Sequence, residues 1–89
     1  MKKHFRLKIT GRVQGVGFRY FVFAQAKKFN LTGYTKNEND NSILIEIEGE
    51  DKDLESFLKK CRKGPLFSKI EKFEIVERGV ENLEKFEIQ

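Results

Sequence analysis

Gly11-Arg12-Val13-Gln14-Gly15-Val16-Gly17-Phe18-Arg19 decides how this chain is read. Before it, Phe5, Leu7 and Ile9 alternate with Arg6, Lys8 and Thr10. That is the period of a strand with one buried and one wet face, as in a sheet covered on a single side. After it, Phe18, Val22, Ala26 and Phe29 fall three and four apart, which is a helix face. The stretch is therefore a strand end, a glycine-rich turn and a helix start. The first-turn amides of a helix have no intrahelical acceptor, and its N-terminus carries partial positive charge. An anion is the natural guest of such a junction. Arg19 stands where a guanidinium fork could close on that anion with two parallel bonds.

Working outward, Lys27 and Lys28 suit the C-terminal dipole of the first helix, and Asn30 suits a left-handed cap behind it. Gly33 to Asn37 reads as the start of a strand, and Glu38 to Ser42 as a polar hairpin turn in which Asp40-Asn41 takes the bend. Ile43, Ile45 and Ile47 alternate with Leu44, Glu46 and Glu48 in a strand that Gly49 ends. Asp51 is an expected N-cap for a second helix, with Asp53 and Glu55 in its first turn. Leu54, Phe57, Leu58 and Cys61 form its apolar stripe, and Gly64-Pro65 stops it. Ile70 to Val76 is a further strand. Ile70 is out of phase with Phe73 and Ile75, which a bulge or a late start would explain. Arg78 to Asn82 reads as a turn, and Phe86 and Ile88 as a short closing strand. The order strand-helix-strand-strand-helix-strand plus a tail predicts an α+β ferredoxin-like βαββαβ plait, with two helices on one face of a mainly antiparallel sheet. Residues 1–89 leave room for one domain.

Val13-Gln14-Gly15-Val16-Gly17-Phe18-Arg19 resembles the phosphate-binding signature of the acylphosphatases, and Gly33-Tyr34-Thr35-Lys36-Asn37 is similar to that family's glycine-aromatic-x-basic-asparagine strand. The resemblance covers nearly the whole chain and is strongest from Gly11 to Asn37. It implies the same plait and metal-independent hydrolysis of the carboxyl-phosphate anhydride bond of small acyl phosphates.

The residues suit that chemistry. The leaving carboxylate has a conjugate acid of pKa about 4 to 5 by analogy with side-chain carboxyls, so it departs without a general acid. The substrate's own phosphate oxygen can take the proton of the attacking water. What remains is to hold charge on the phosphoryl oxygens and to place the water in line. In this reading the backbone of Gln14, Gly15, Val16, Gly17, Phe18 and Arg19 cradles the phosphate. Arg19 clamps it and stabilises the transition state, and Asn37 orients the water. No cofactor is expected. No metal is expected either, because no His/Asp/Glu cluster shows ligand spacing along the chain.

Composition narrows the alternatives. Charged residues are 36% and hydrophobic residues 38%, with nine Phe and no Trp, so Phe is expected to fill much of the core. No apolar run approaches the ~20 residues of a membrane span, and no signal peptide is read at the N-terminus. A cytoplasmic monomer is expected. The net charge of +4 suits a small anionic substrate and argues only weakly for nucleic acid, because acidic residues are interleaved through the second half. One cysteine excludes an internal disulfide. Cys61 is expected in the core, Lys59 to Lys63 as a solvated helix end, and His4, near a free end, on the surface. Gly17 to Phe23 faintly resembles the aromatic signature of RNA-recognition domains, which share this plait. There the signature lies on a central strand, whereas here it begins a helix. A binding module for RNA or a regulatory ligand is thus the competing class. Relation to the acylphosphatase-like domains that handle carbamoyl phosphate inside larger enzymes is a third. The length of the chain, taken as complete, argues against that one.

Overall fold

A computed structural model describes residues 1–89. β1 (Lys2–Arg12) lies near the centre of a five-stranded sheet. It pairs antiparallel with β3 (Ile43–Glu50) on one side and β4 (Lys69–Arg78) on the other. β2 (Thr32–Asn37) flanks β3, and β5 (Phe86–Ile88) runs parallel to β2 at the edge, giving the order β4-β1-β3-β2-β5. The helices α1 (Phe18–Lys28) and α2 (Asp51–Lys63) cover one face. This is the α+β ferredoxin-like plait.

The odd-numbered apolar residues of the central strands build the core. Leu7, Ile9, Ile43, Ile45 and Ile47 are inaccessible, and Phe18, Val22 and Ala26 of α1 and Leu54, Phe57 and Cys61 of α2 close over them. Fully burying a side chain such as Leu54 or Phe57 stabilises by roughly 1.5–3 kcal/mol, so α2 is held chiefly by this stripe. Leu58 and Phe29 complete the stripes as half-buried residues. At the end of α1 the amide of Leu31 donates to Ala26 and that of Asn30 to Lys27, with Asn30 at φ 56. That is a Schellman ending with Asn in the left-handed position the sequence assigned it.

The out-of-phase Ile70 is resolved by a bulge. Thr10 faces Lys72 and Gly11 faces Ile70, so Glu71 is the extra residue. Ile70 thereby returns to the core side with Phe73. The hairpin turn is a three-residue loop in which only Asn41 is left-handed, at φ 71. The Asn41 amide donates to Glu38 and the Glu38 amide to Ser42, the type I turn plus bulge that needs one such residue rather than two. Three expectations shift. β3 runs through Gly49 to Glu50, so Glu50 takes the N-cap position and Asp51 is the first helical residue. The basic end of α2 is not wholly solvated, because the Arg62 guanidinium sits 4.4 Å over the ring of Phe73. The third concerns the sheet's second face.

That face is not open throughout. β4 and β5 lie at opposite edges, so residues 79–85 must cross four strand spacings, roughly 19 Å at about 4.8 Å each. Seven residues span about 23 Å when extended, so the segment lies nearly straight across the sheet. Beneath it His4 and Glu48 are 0% exposed and Glu46 is 4% exposed. His4 is thus a buried residue and not the surface residue its place near the terminus suggested. The strap covers His4 at one end of the face that the alternation of β1 had marked as wet, while Arg6 and Lys8 further along it stay exposed.

Candidate active site

The loop from Val13 to Gly17 turns the chain from β1 into α1. Gly15 and Gly17 hold φ of 74 and 78, and a Cβ on either would meet nothing within 4 Å. The demand for glycine there is conformational and not spatial. Gly17 also takes the N-cap position of α1 with no side-chain cap, and the first turn holds no acidic residue. The amides of Gln14, Gly15, Val16 and Gly17 donate to no backbone carbonyl. The loop is therefore a row of donors without acceptors in the protein, with the positive end of a helix behind it.

Two side chains anchor it. Phe18 is buried and meets Phe21 edge-on at 6.0 Å between ring centres. Val16 packs half-buried against the core. Gln14 does something the sequence did not signal. Its side-chain Nε2 donates to the carbonyls of Glu38 and Ser42, at 2.9 Å each. The loop is thus tied to the β2–β3 hairpin immediately after Asn37. Within that hairpin Asp40 accepts from the Ser42 amide at 3.1 Å and its hydroxyl at 2.5 Å, and pairs with Lys8 at 2.9 Å. The Ser42 hydroxyl, then Lys8, hold the Asp40 carboxyl well below the usual carboxylate range.

A cleft of about 160 Å³ results, lined by Val13, Gly15, Gly17, Phe18, Arg19, Tyr20 and Asn37. It brings together Arg19 from the first turn of α1 and Asn37 from the end of β2, which are adjacent in neither sequence nor strand order. Of the residues expected to cradle phosphate, Gly15, Gly17, Phe18 and Arg19 line it, while the side chains of Gln14 and Val16 turn to the scaffold. The guanidinium of Arg19 donates through Nη1 to the main-chain oxygen of Gln89 at 2.9 Å. Gln89 is itself fixed by its amide on the carbonyl of Thr35, at 2.8 Å. A backbone oxygen beyond β5 thus helps aim the arginine, and nothing in the local sequence announced it. Val13, buried, and Tyr20, exposed at the rim, are the two lining residues outside the expected site set.

An arrangement of unpaired amides, one guanidinium and one carboxamide can hold a tetrahedral dianion and place a water. It holds no side chain suited to strong acid or base catalysis. The carboxylates and the one imidazole gather elsewhere, under the strap. There burial would push the His4 imidazolium down, but its bonds to Glu46 and Glu48 outweigh this and raise it. Burial likewise disfavours ionised Glu48, yet the amide of Glu81, His4 and the amide of Leu83 bring its carboxyl below the usual value.

The Acylphosphatase family profile matches residues 5–88. The chain is 40% identical over 89 residues to the acylphosphatase of Oceanobacillus iheyensis, covering 98% of both sequences. The crystal structure of the Bacillus subtilis acylphosphatase superposes with a TM-score of 0.94 at 40% identity, over 100% of this chain and 99% of that one. A third similarity is to a much longer protein. The probable carbamoyltransferase HypF of Methanocaldococcus jannaschii is 44% identical over 90 residues, which are 99% of this chain and 12% of that sequence.

Proposed function

The chain belongs to the acylphosphatase family and hydrolyses acyl phosphates, and from that premise we propose how its cleft performs the reaction. The phosphoryl group lies on the amides of residues 14 to 19, with Arg19 bonded to two of its oxygens. As the anhydride bond lengthens, charge gathers on oxygens already facing fixed donors, so little reorganisation is needed. The Asn37 carboxamide orients a water opposite the departing carboxylate, and the proton of that water passes to a phosphate oxygen. Hydrolysis gives a carboxylate and inorganic phosphate. The leaving group is a weak base, so the site's lack of a general acid is consistent with the task.

The observation that carries this reading is the convergence of Arg19 and Asn37 on one cleft beside a loop whose amides have no acceptor. A cleft of about 160 Å³ matches the phosphoryl group that all acyl phosphates share. No helix is long and apolar enough to cross a membrane. The site is built within one chain, and we take the protein to act as a cytoplasmic monomer. The likeness to HypF favours carbamoyl phosphate as a second substrate of the same class.

Phosphate release from acetyl phosphate and carbamoyl phosphate in excess EDTA, beside Arg19→Ala, is the test. Turnover that persists under chelation and disappears in the variant is the expected result. Turnover that EDTA abolishes would overturn the metal-free mechanism, and undiminished turnover in the variant would overturn the assigned site.

A further inference from the structure

The cluster beneath the strap is not needed by the cleft. The two lie at opposite ends of β1, about 26 Å apart along eight residues of extended chain. His4 of β1 stands opposite Glu48 of β3, with Glu46 two residues away on the same face. His4 Nδ1 lies 3.0 Å from Glu48 Oε2. Glu48 cannot swing away, because its two oxygens accept the amides of Glu81 at 2.6 Å and Leu83 at 2.8 Å. The ring is thereby oriented, and Nε2 is aimed at Glu46 Oε1, 2.5 Å away, and towards Glu81 Oε2 at 3.8 Å. The other oxygen of Glu46 is held by Arg6 Nε.

We propose that His4, Glu46 and Glu81 form a divalent-cation site suited to Zn²⁺, with Nε2, Oε1 and Oε2 as ligands and one position left to water. The three atoms lie within 4.8 Å of one another. In tetrahedral zinc with bonds of about 2.1 Å the ligand atoms stand roughly 3.4 Å apart. The observed separations of 2.5 and 3.8 Å from Nε2 bracket that value. Zinc would replace the proton shared between Nε2 and Glu46, so that hydrogen-bonded pair opens towards the zinc spacing while Glu81, whose side chain is 60% exposed, closes towards it. Imidazole with carboxylates is a donor set zinc accepts. The orienting shell is already in place: a metal-bound imidazole typically donates its other N–H to a carboxylate that is itself hydrogen-bonded, which is the role of Glu48 here. Glu46 is likewise steadied by Arg6. Glu46 and Glu48 of β3 and Glu81 of the strap converge on one imidazole of β1, and these three carboxylates outnumber the two neighbouring cations, Arg6 and Lys2, so with the ring neutral a cation is the guest the cluster favours. Zinc would staple the strap to the sheet and leave turnover at the distant cleft unchanged.

The test uses the whole chain and zinc alone. His4 is the sole histidine, so its imidazole nitrogens can be followed by NMR without ambiguity while Zn²⁺ is added at fixed pH. Cys61 does not compete as a ligand, because it is fully buried. The expected result is saturable binding of one Zn²⁺ per chain, a shift confined to Nε2, and a raised unfolding midpoint. Glu81→Gln, at an exposed side chain, should weaken binding at least about tenfold, while Glu84→Gln on the same strap should not. An unmoved Nε2 at millimolar zinc would overturn the proposal. So would equal affinity in Glu81→Gln and the native protein.

Discussion

At one end of β1 a loop presents amide donors that no acceptor in the protein meets. At the other end carboxylates gather every donor within reach, from an imidazole, a guanidinium and two backbone amides. Both ends are strongly polar, yet only the first is open. An unpaired donor facing water is tolerated because water satisfies it, and such a donor stays available to an anion that exchanges for that water. A buried carboxylate has no such reserve, so every bond to Glu48 must be made by the protein. The difference separates a group kept for chemistry from a group kept for structure. It also explains why the acylphosphatase cleft can be built from so few side chains: its donors are backbone atoms held by the turn itself.

The sharpest way to break this comparison is at Arg19. Arg19→Ala should lower kcat/KM by about 10³-fold or more and remove measurable phosphate binding, with unfolding by urea little changed. Asn37→Ala should lower kcat by roughly 10²-fold and leave phosphate affinity within a few-fold, because a water-positioning group acts only during attack. Tight phosphate binding in the first variant, or its loss in the second, would exchange their roles. At the opposite end the expected pattern reverses. Glu48→Ala strips a buried acceptor from His4 and from two amides, and should destabilise by about 3–5 kcal/mol in urea unfolding while the folded fraction keeps native kcat. A variant that folded as stably as the native protein would show that the strap is not anchored there. Gln14→Ala sits between the two behaviours, since its amide ties loop to hairpin. It should cost about 1–2 kcal/mol of stability and several-fold in kcat, measured together by unfolding and initial rates. The smallest effect belongs to Cys61. Burial pushes its thiol up to about 12, so a thiol reagent at pH 8 should leave it unmodified until urea unfolds the chain.

Much of this was legible in the sequence because it is local. The glycine spacing at 15 and 17, the stripes of α1 and α2, Asn30 behind α1 and the odd-numbered isoleucines of β3 each express a preference of a few neighbouring residues. Such preferences survive unchanged in the fold. Arg19 follows the loop directly, and the resemblance supplied Asn37. The bulge at Glu71 was visible as a phase error at Ile70, though only the pairing with Gly11 located it.

What the sequence could not express depends on long separations. His4 meets Glu46 and Glu48 across more than forty residues, and the strap that buries them comes later still. Alternation along β1 marks one face as polar, but polar is not the same as exposed. Whether that face is wet depends on the path of residues 79–85, which is set by the placement of β4 and β5 at opposite edges. Likewise Arg19 is aimed from beyond β5 and Asn37 is steadied through Gln14. The sequence by itself determined the elements, their faces and the glycine turn before α1, because each is written in local periodicity and backbone preference. Only the tertiary structure decided which polar groups face water and which face one another, because desolvation is a property of everything packed around a group and not of its neighbours in the chain.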